Sequence, residues 1–385
     1  MTTSSRNAEA RHLLQVYGQL PVEITSAEGV YLHAGLRRII DFYGGHAVAA
    51  LGYAHPDLLA TLQSQAKTMY FQSNAVALEV RAEAGDALAA FAPEGLDRVF
   101  FVNSGAEANE NALRVACRAT GRSRILALEH GFHGRTAAAA AVTWGAAQSW
   151  YGFPRTPFEV DFIPRDDAAR AGEMINGNTA AVIVELVQGL AGAYDLEPGF
   201  VLAIAEACRR AGALLIVDEV QSGVGRTGAP FAANLYGIKP DMLTTAKALG
   251  GGFPCSALLM TEALAHTLKS GDLGTTFGGG PMACALVSKV LAVIQRDRLM
   301  DNVRTLSDEI RRHAVTGPVQ SIQGKGFLLG LRCRRPAKDI QSALLDRDIL
   351  VGTSSDPHIV RLLPPLTLEK RHVAKLVSAL CDIGP

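Results

Sequence analysis

An acid and an amine close two apolar runs of this chain: Asp218 ends "LLIVD" and Lys247 ends "LTTAK". Burying an ionised carboxylate without a partner is very costly, so Asp218 marks a cap or a bound cation. The residues after it, "EVQSGVGRTG", form a Gly-rich loop rather than a clear helix start. A carboxylate placed there can keep a heterocyclic nitrogen protonated, raising its pKa by ~1–3 units. Lys247 precedes "ALGGG". At a dry strand end its amine is desolvated, which lowers its pKa and makes it a nucleophile. The plainer reading is a lysine whose ammonium reaches back to water. A third stretch, "FFVNSGAEANENAL", runs from a strand through Ser104, Gly105 and Ala106 into a helix. Gly105 allows close backbone approach, and the first amides of a helix suit a phosphate. The same residues also read as a simple cap, with Glu107 completing a capping box. A fourth, "TTFGGGPMACA", sets the hydroxyls of Thr275 and Thr276 beside a Gly-rich turn, which suits an oxyanion or a plain loop equally.

The combination is more specific than its parts. A phosphate-type loop, an acid for a ring nitrogen and a desolvated amine fit pyridoxal 5′-phosphate (PLP), held by the lysine as a Schiff base. The cation facing Asp218 is then the ring nitrogen of that cofactor.

These residues need elements to hold them. Apolar strand patterns occur at residues 98–103, 124–129, 180–185, 213–219, 241–246 and 256–260. Amphipathic helical patterns such as "EANENALRVACRAT" and "GFVLAIAEACRRAG" lie between several of them. That alternation predicts a mainly parallel sheet covered on both faces, with ligands beyond the carboxyl ends of the strands. After about residue 282 two helical patterns precede short strands broken by Gly and Pro, which read as a smaller α+β lobe. The expected division is a large domain over 46–280 and a small one over 281–385, joined by the hairpin-bearing segment 1–45.

The chain of 385 residues is 48% hydrophobic, enough for a large core. Lys+Arg and Asp+Glu balance at 37 each, so no charge excess points to nucleic acid or an anionic membrane. No apolar run approaches the ~20 residues of a membrane helix, and "MTTSSRNAEARHLL" lacks the pattern of a signal peptide. Six scattered cysteines without a CxxC pair read as reduced thiols of a cytoplasmic protein, with no metal site.

At these motifs the chain resembles the class III (ω-) aminotransferases of fold type I, and most of all the acetylornithine and ornithine aminotransferases. "GFHGRT", "LLIVDEVQSGVGRTG", "KPDMLTTAKALGGGFP", "TTFGGGPMACA" and "VRLLPPLT" are similar to successive family blocks, in the same order. Lys247 follows Asp218 by the family's spacing. The resemblance implies a seven-stranded-type sheet and a homodimer with shared active sites. It implies that Lys247 carries PLP and moves the substrate proton, while Asp218 holds the pyridinium. Gln221 would bond the phenolic oxygen, with Val220 and Phe132 on the two ring faces and Glu185 in support near Gln221. Ser104, Gly105 and Ala106 would hold the phosphate, joined by Thr276 of the other subunit. Arg135 would take a distal carboxylate and Arg361 the α-carboxylate of glutamate or 2-oxoglutarate. Tyr17 and His46 fall at substrate-contacting positions of the pocket entrance.

One block departs from the family. "ELVQGLAG" keeps Glu185, Gln188 and Gly189 but carries Leu190 where the family has a second acid that pairs with the arginine. Arg361 is therefore expected to lack a partner, which puts the amino donor in doubt. An N-acylornithine, most simply N-acetylornithine, leads as donor. The alternatives are an ornithine, lysine or diamine ω-aminotransferase, an amino-acid racemase or decarboxylase, and a non-catalytic PLP-binding scaffold.

Overall fold

A computed structural model describes residues 5–385, so the first four residues of the N-terminal segment lie outside the described residues. Seven strands build the central sheet: Arg98–Val102 (β1), Arg124–Leu128 (β2), Glu159–Ile163 (β3), Thr179–Val184 (β4), Leu214–Asp218 (β5), Met242–Thr245 (β6) and Ser256–Met260 (β7). Their spatial order is β1-β7-β6-β5-β4-β2-β3. β7 runs antiparallel to both neighbours and the remaining pairs are parallel. β1, β2, β4, β5 and β6 therefore all end on the same edge.

Each strand alternates its side chains between two helical layers, as the pleat requires. Ile125, Ala127, Ile183 and Ile216 pack with Ala112, Leu113 and Ala116 of helix Gly105–Thr120. Leu126, Leu128, Val184 and Val217 pack with Val201, Ile204 and Cys208 of helix Pro198–Ala211. Each such side chain, fully buried, contributes about 1.5–3 kcal/mol. Both helices stop at a left-handed glycine, Gly121 and Gly212.

β3 escaped the sequence reading. It is a sheet edge whose residues alternate between exposed and half-buried, and "EVDFI" carries two acids. Asp161 pairs with Arg124 at 2.7 Å across the edge. A wet edge strand lacks the continuous apolar run that marked the other six.

Two four-stranded sheets flank this core. One joins Ser26–Glu28, Tyr31–Ala34 and Arg37–Asp41 to Ile349–Leu350. The other joins Val319–Lys325, Leu328–Cys333, Ile359–Leu362 and Gly352–Thr353. Arg361 sits in its strand Ile359–Leu362. No described helix is long and apolar enough to cross a membrane.

Strand Arg37–Asp41 runs into a turn of unusual hand. Gly44, Gly45, His46 and Ala47 all have positive φ, at 55°, 55°, 65° and 71°. Left-handed backbone costs a side-chain-bearing residue ~1–2 kcal/mol, so His46 and Ala47 are held there against strain. Asp41 supplies part of the restraint. Its Oδ1 accepts from the amides of Tyr43 (2.7 Å) and Gly44 (2.9 Å), and its Oδ2 accepts from the Tyr53 hydroxyl at 2.5 Å. Gly44 also lies against the backbone, where an added Cβ would stand 2.6 Å from the Leu363 carbonyl oxygen. Gly44→Ala should therefore cost ~2 kcal/mol or more of stability. The denaturant midpoint of the variant, measured with bound cofactor, tests this; a midpoint equal to wild type would mean that the turn relaxes freely.

Candidate active site

The carboxyl edge of the sheet opens on a cavity of about 720 Å³, within the range of small-molecule and cofactor sites. At its floor, Asp218 ends β5 almost fully buried. Its Oδ2 accepts from Asn109 Nδ2 at 2.7 Å and His133 Nδ1 at 2.8 Å, and its Oδ1 accepts from the Val220 amide at 3.0 Å. Three donors thus converge on its two oxygens. Asn109 is fixed in turn: Thr244 Oγ1 donates to its Oδ1 at 2.6 Å, and its Nδ2 also donates to the His133 carbonyl at 2.7 Å.

Strand alternation separates the two adjacent acids. Glu219 points away from the cavity and accepts from Ser222 Oγ (2.7 Å) and the amides of Ala232 (2.9 Å) and Ala233 (2.7 Å). Burial pushes its carboxyl up to about 7, with those hydrogen bonds pulling the other way. Glu219 thus caps the short helix Ala232–Tyr236, while Asp218 faces the chemistry.

Lys247 lies two residues past the end of β6, opening a 3-10 turn over Lys247–Gly250 with φ 45°. Burial lowers the pKa of its amine, opposed by the charges of Asp218 and Glu185. Glu185 follows β4 and is buried, which raises its pKa. Its carboxylate accepts from the Phe132 amide (2.8 Å) and the Gly189 amide (3.4 Å). Its hydrogen bonds thus run to Phe132 and Gly189, whereas Gln221 Nε2 donates to the His46 carbonyl at 3.3 Å.

Ser104, Gly105 and Ala106 line the cavity at the start of helix Gly105–Thr120. The cap expected from the sequence is present, although Glu107 bonds the Asn103 amide rather than that of the N-cap Ser104. Ser104 Oγ caps the Glu107 amide at 3.2 Å, and Glu107 reaches back to the Asn103 amide at 2.9 Å. The first-turn amides remain directed outward, as at any helix start. A Cβ on Gly105 would come 2.7 Å from Val220, so only glycine lets that wall close. Phe132 and Val220 both line the cavity. The exposed Arg135 stacks over the Trp150 ring at 4.5 Å.

Leu190 leaves Arg361 without the family's acid, and other groups take its N–H donors. Its Nε donates to the Thr353 carbonyl (2.6 Å), Nη1 to the Gly189 carbonyl (3.1 Å) and Nη2 to the Tyr43 hydroxyl (3.3 Å). The N–H groups are satisfied, but by carbonyls and a phenol, none of them an anion. Burial lowers the pKa of the guanidinium, opposed by Tyr43 and by the charge of Glu185. Leu190 lines the cavity beside it.

Tyr17 and His46 also line the cavity, both exposed at its mouth. Of the fourteen residues given a role by the family resemblance, Thr276 alone is not among the cavity-lining residues, and it is exposed. Sequence reasoning missed Asn109, His133 and Tyr43. The first had a signal: Asn109 is a polar residue on the otherwise apolar face of helix Gly105–Thr120. Asn109→Ala should leave the Thr244 hydroxyl and one Asp218 oxygen short of a partner, costing ~1–3 kcal/mol. Chemical denaturation of the variant checks this, and unchanged stability would mean that water replaces the amide.

Comparison with known proteins gives a consistent result. Residues 14–383 match the family model of class-III aminotransferases. The acetylornithine aminotransferase of Bacillus subtilis is 37% identical over 376 residues, covering 96% of each chain. That of Archaeoglobus fulgidus is 37% identical over 380 residues, covering 97% of this chain and 98% of its own. Among solved structures, the ornithine aminotransferase of Toxoplasma gondii superposes with a TM-score of 0.92 at 28% identity, covering 98% of this chain and 94% of that one. A second structure of that enzyme (TM-score 0.91, 28% identity, the same coverage) is described as having partial occupancy of PLP at its active site. The acetylornithine aminotransferase of Elizabethkingia anophelis superposes at 0.88 with 29% identity, covering 98% of both chains.

Proposed function

The chain belongs to the class III aminotransferases, and we propose that it moves the terminal amine of an N-acylated ornithine, most simply N-acetylornithine, to 2-oxoglutarate. The enzyme is a PLP-dependent aminotransferase of fold type I. The cavity suits that cofactor: it pairs a triply bonded acid with a desolvated amine and the bare first turn of a helix. When bound, PLP supplies the electron sink that makes the substrate carbon acidic.

The chain's own residues have distinct tasks in this reading. Asp218, with its three donors, would hold the cofactor's ring nitrogen. Lys247 would anchor the cofactor, and its Nζ, whose pKa burial lowers, would carry the proton to and from the carbon bearing the amine. Phe132 and Val220 would flank the ring and Gln221 would bind its phenolic oxygen, while Glu185 braces the Phe132 loop. Ser104, Gly105 and Ala106 would hold the phosphate. Arg135 and Arg361 each take a carboxylate, with Tyr17 and His46 completing the mouth.

The observation that carries the substrate reading is two arginines lining one cavity with Lys247. A five-carbon dicarboxylate can place one carboxylate on each, in the bidentate mode that guanidinium favours. A terminal-amine donor uses Arg135 for its single carboxylate. The names of the curated relatives support an acylated donor. A screen of N-acetylornithine, ornithine, lysine and diamines against 2-oxoglutarate tests the reading. Turnover without stoichiometric 2-oxo acid consumption would instead indicate a racemase or decarboxylase.

The working unit in this reading is a homodimer. Met69, Tyr70, Phe71, Val76 and Phe277 are exposed and apolar, and the Phe71 and Phe277 rings stand 5.3 Å apart beside Thr276. Such a patch favours a partner surface, where Thr276 would meet the neighbouring phosphate. Segment 1–45 is read as part of a small lobe with 281–385, against a large domain over 46–280; the pairing of Arg37–Asp41 with Ile349–Leu350 supports this. A cytoplasmic location is supported by six unpaired cysteines.

Three outcomes follow from these roles. Borohydride should fix PLP to the wild-type chain but not to Lys247→Ala, which should also lose turnover; fixation in the variant would move the anchor elsewhere. Asp218→Asn should slow single-turnover half-reactions by roughly 10²-fold, about 3 kcal/mol, while retaining some cofactor. Mixing Lys247→Ala with Thr276→Ala subunits should regain activity, because each hybrid dimer has one intact site. No recovery after verified subunit exchange would count against a shared site.

A further inference from the structure

We infer that Tyr43 is a positioning residue that joins Arg361 and His46 into one ligand-reading unit, with His46 presenting a neutral N–H donor at the cavity mouth. The inference rests on the reading of Arg361 as a carboxylate site and names the residue that aims it.

Chemistry fixes the direction of the Arg361 bond, and we assign that of the His46 bond. Arg361 Nη2 meets the Tyr43 hydroxyl at 3.3 Å, and a guanidinium can only donate. The phenol oxygen therefore accepts from Arg361, and its own proton is free to go elsewhere. His46 Nδ1 lies 2.6 Å from the same oxygen, closer than Nε2 at 3.4 Å. In this assignment the hydroxyl donates to Nδ1, which is unprotonated. The ring proton of neutral His46 accordingly sits on Nε2, a donor for an acceptor oxygen of the ligand.

Position is fixed as tightly as polarity. The left-handed run at Gly44–Ala47 carries His46 toward the mouth, and Asp41 clamps its start through the amides of Tyr43 and Gly44. Behind Tyr43 there is no slack, since a Cβ on Gly352 would strike its ring. The Arg361 guanidinium lies 5.8 Å from the centre of that ring. Strain held at a cavity mouth by a buried acid marks a place where side-chain direction matters. The ligand chemistry implied is a carboxylate on Arg361 with a further acceptor oxygen near it, as in a 2-oxo dicarboxylic acid. A terminal-amine donor, with only methylenes beside Arg361, draws less on this unit.

Tyr43→Phe tests the role while keeping the ring. Its KM for 2-oxoglutarate should rise roughly tenfold, the loss of one hydrogen bond to a charged group. The change in kcat and in the KM of the amine donor should be smaller. His46→Ala should also raise the KM for 2-oxoglutarate, but by less than twofold in the Tyr43→Phe background, because the unit is already broken. Equal rises in both KM values, an unchanged KM for 2-oxoglutarate, or two effects that multiply independently would each overturn the inference. Glutarate, an unreactive dicarboxylate, separates this inference from the substrate reading. Weaker glutarate binding in both Tyr43→Phe and Arg361→Ala supports the unit whichever donor is used. Weaker binding in Arg361→Ala alone removes Tyr43 from it. Unchanged binding in both removes Arg361 as the carboxylate site, and the inference with it.

Discussion

A buried carboxylate with three donors is the constraint around which the site is built. Asp218 can be buried in the cavity because Asn109, His133 and the Val220 amide reach its oxygens together. Those donors come from a helix, from the loop after β2 and from the turn after β5. Each element must therefore dock on the sheet in one register. The side chains of β2, β4 and β5, alternating into two helical layers, provide that docking.

The same carboxyl edge treats its two buried groups differently. Burial lowers the pKa of the Lys247 amine, favouring the neutral form that a nucleophile needs. Asp218, equally buried, has its lost water replaced by three directed donors.

Arg361 shows a third solution. With Leu190 in place of an acid, its N–H groups are satisfied by the Thr353 and Gly189 carbonyls and by Tyr43. Carbonyl dipoles orient a guanidinium without neutralising it. The result is a fixed cation prepared for a ligand anion, with no internal acid that must swing away first.

The sequence by itself determined the kinds of chemistry and their approximate places. An acid and a lysine closing apolar runs, and a glycine opening a helix, are local patterns with local causes. Six strands were legible because their runs are continuously apolar. The seventh, Glu159–Ile163, was not, because Glu159 and Asp161 stand at exposed positions and interrupt its run. Only the tertiary structure decided which of two adjacent acids faces the cavity, since that depends on the phase of the pleat at β5. It alone brought Asn109 and His133 to Asp218, 109 and 85 positions away along the chain, and Tyr43 to Arg361, 318 positions away. A hydrogen bond depends on separations of a few ångströms in space, which local periodicity does not encode. Packing of the whole sheet sets them.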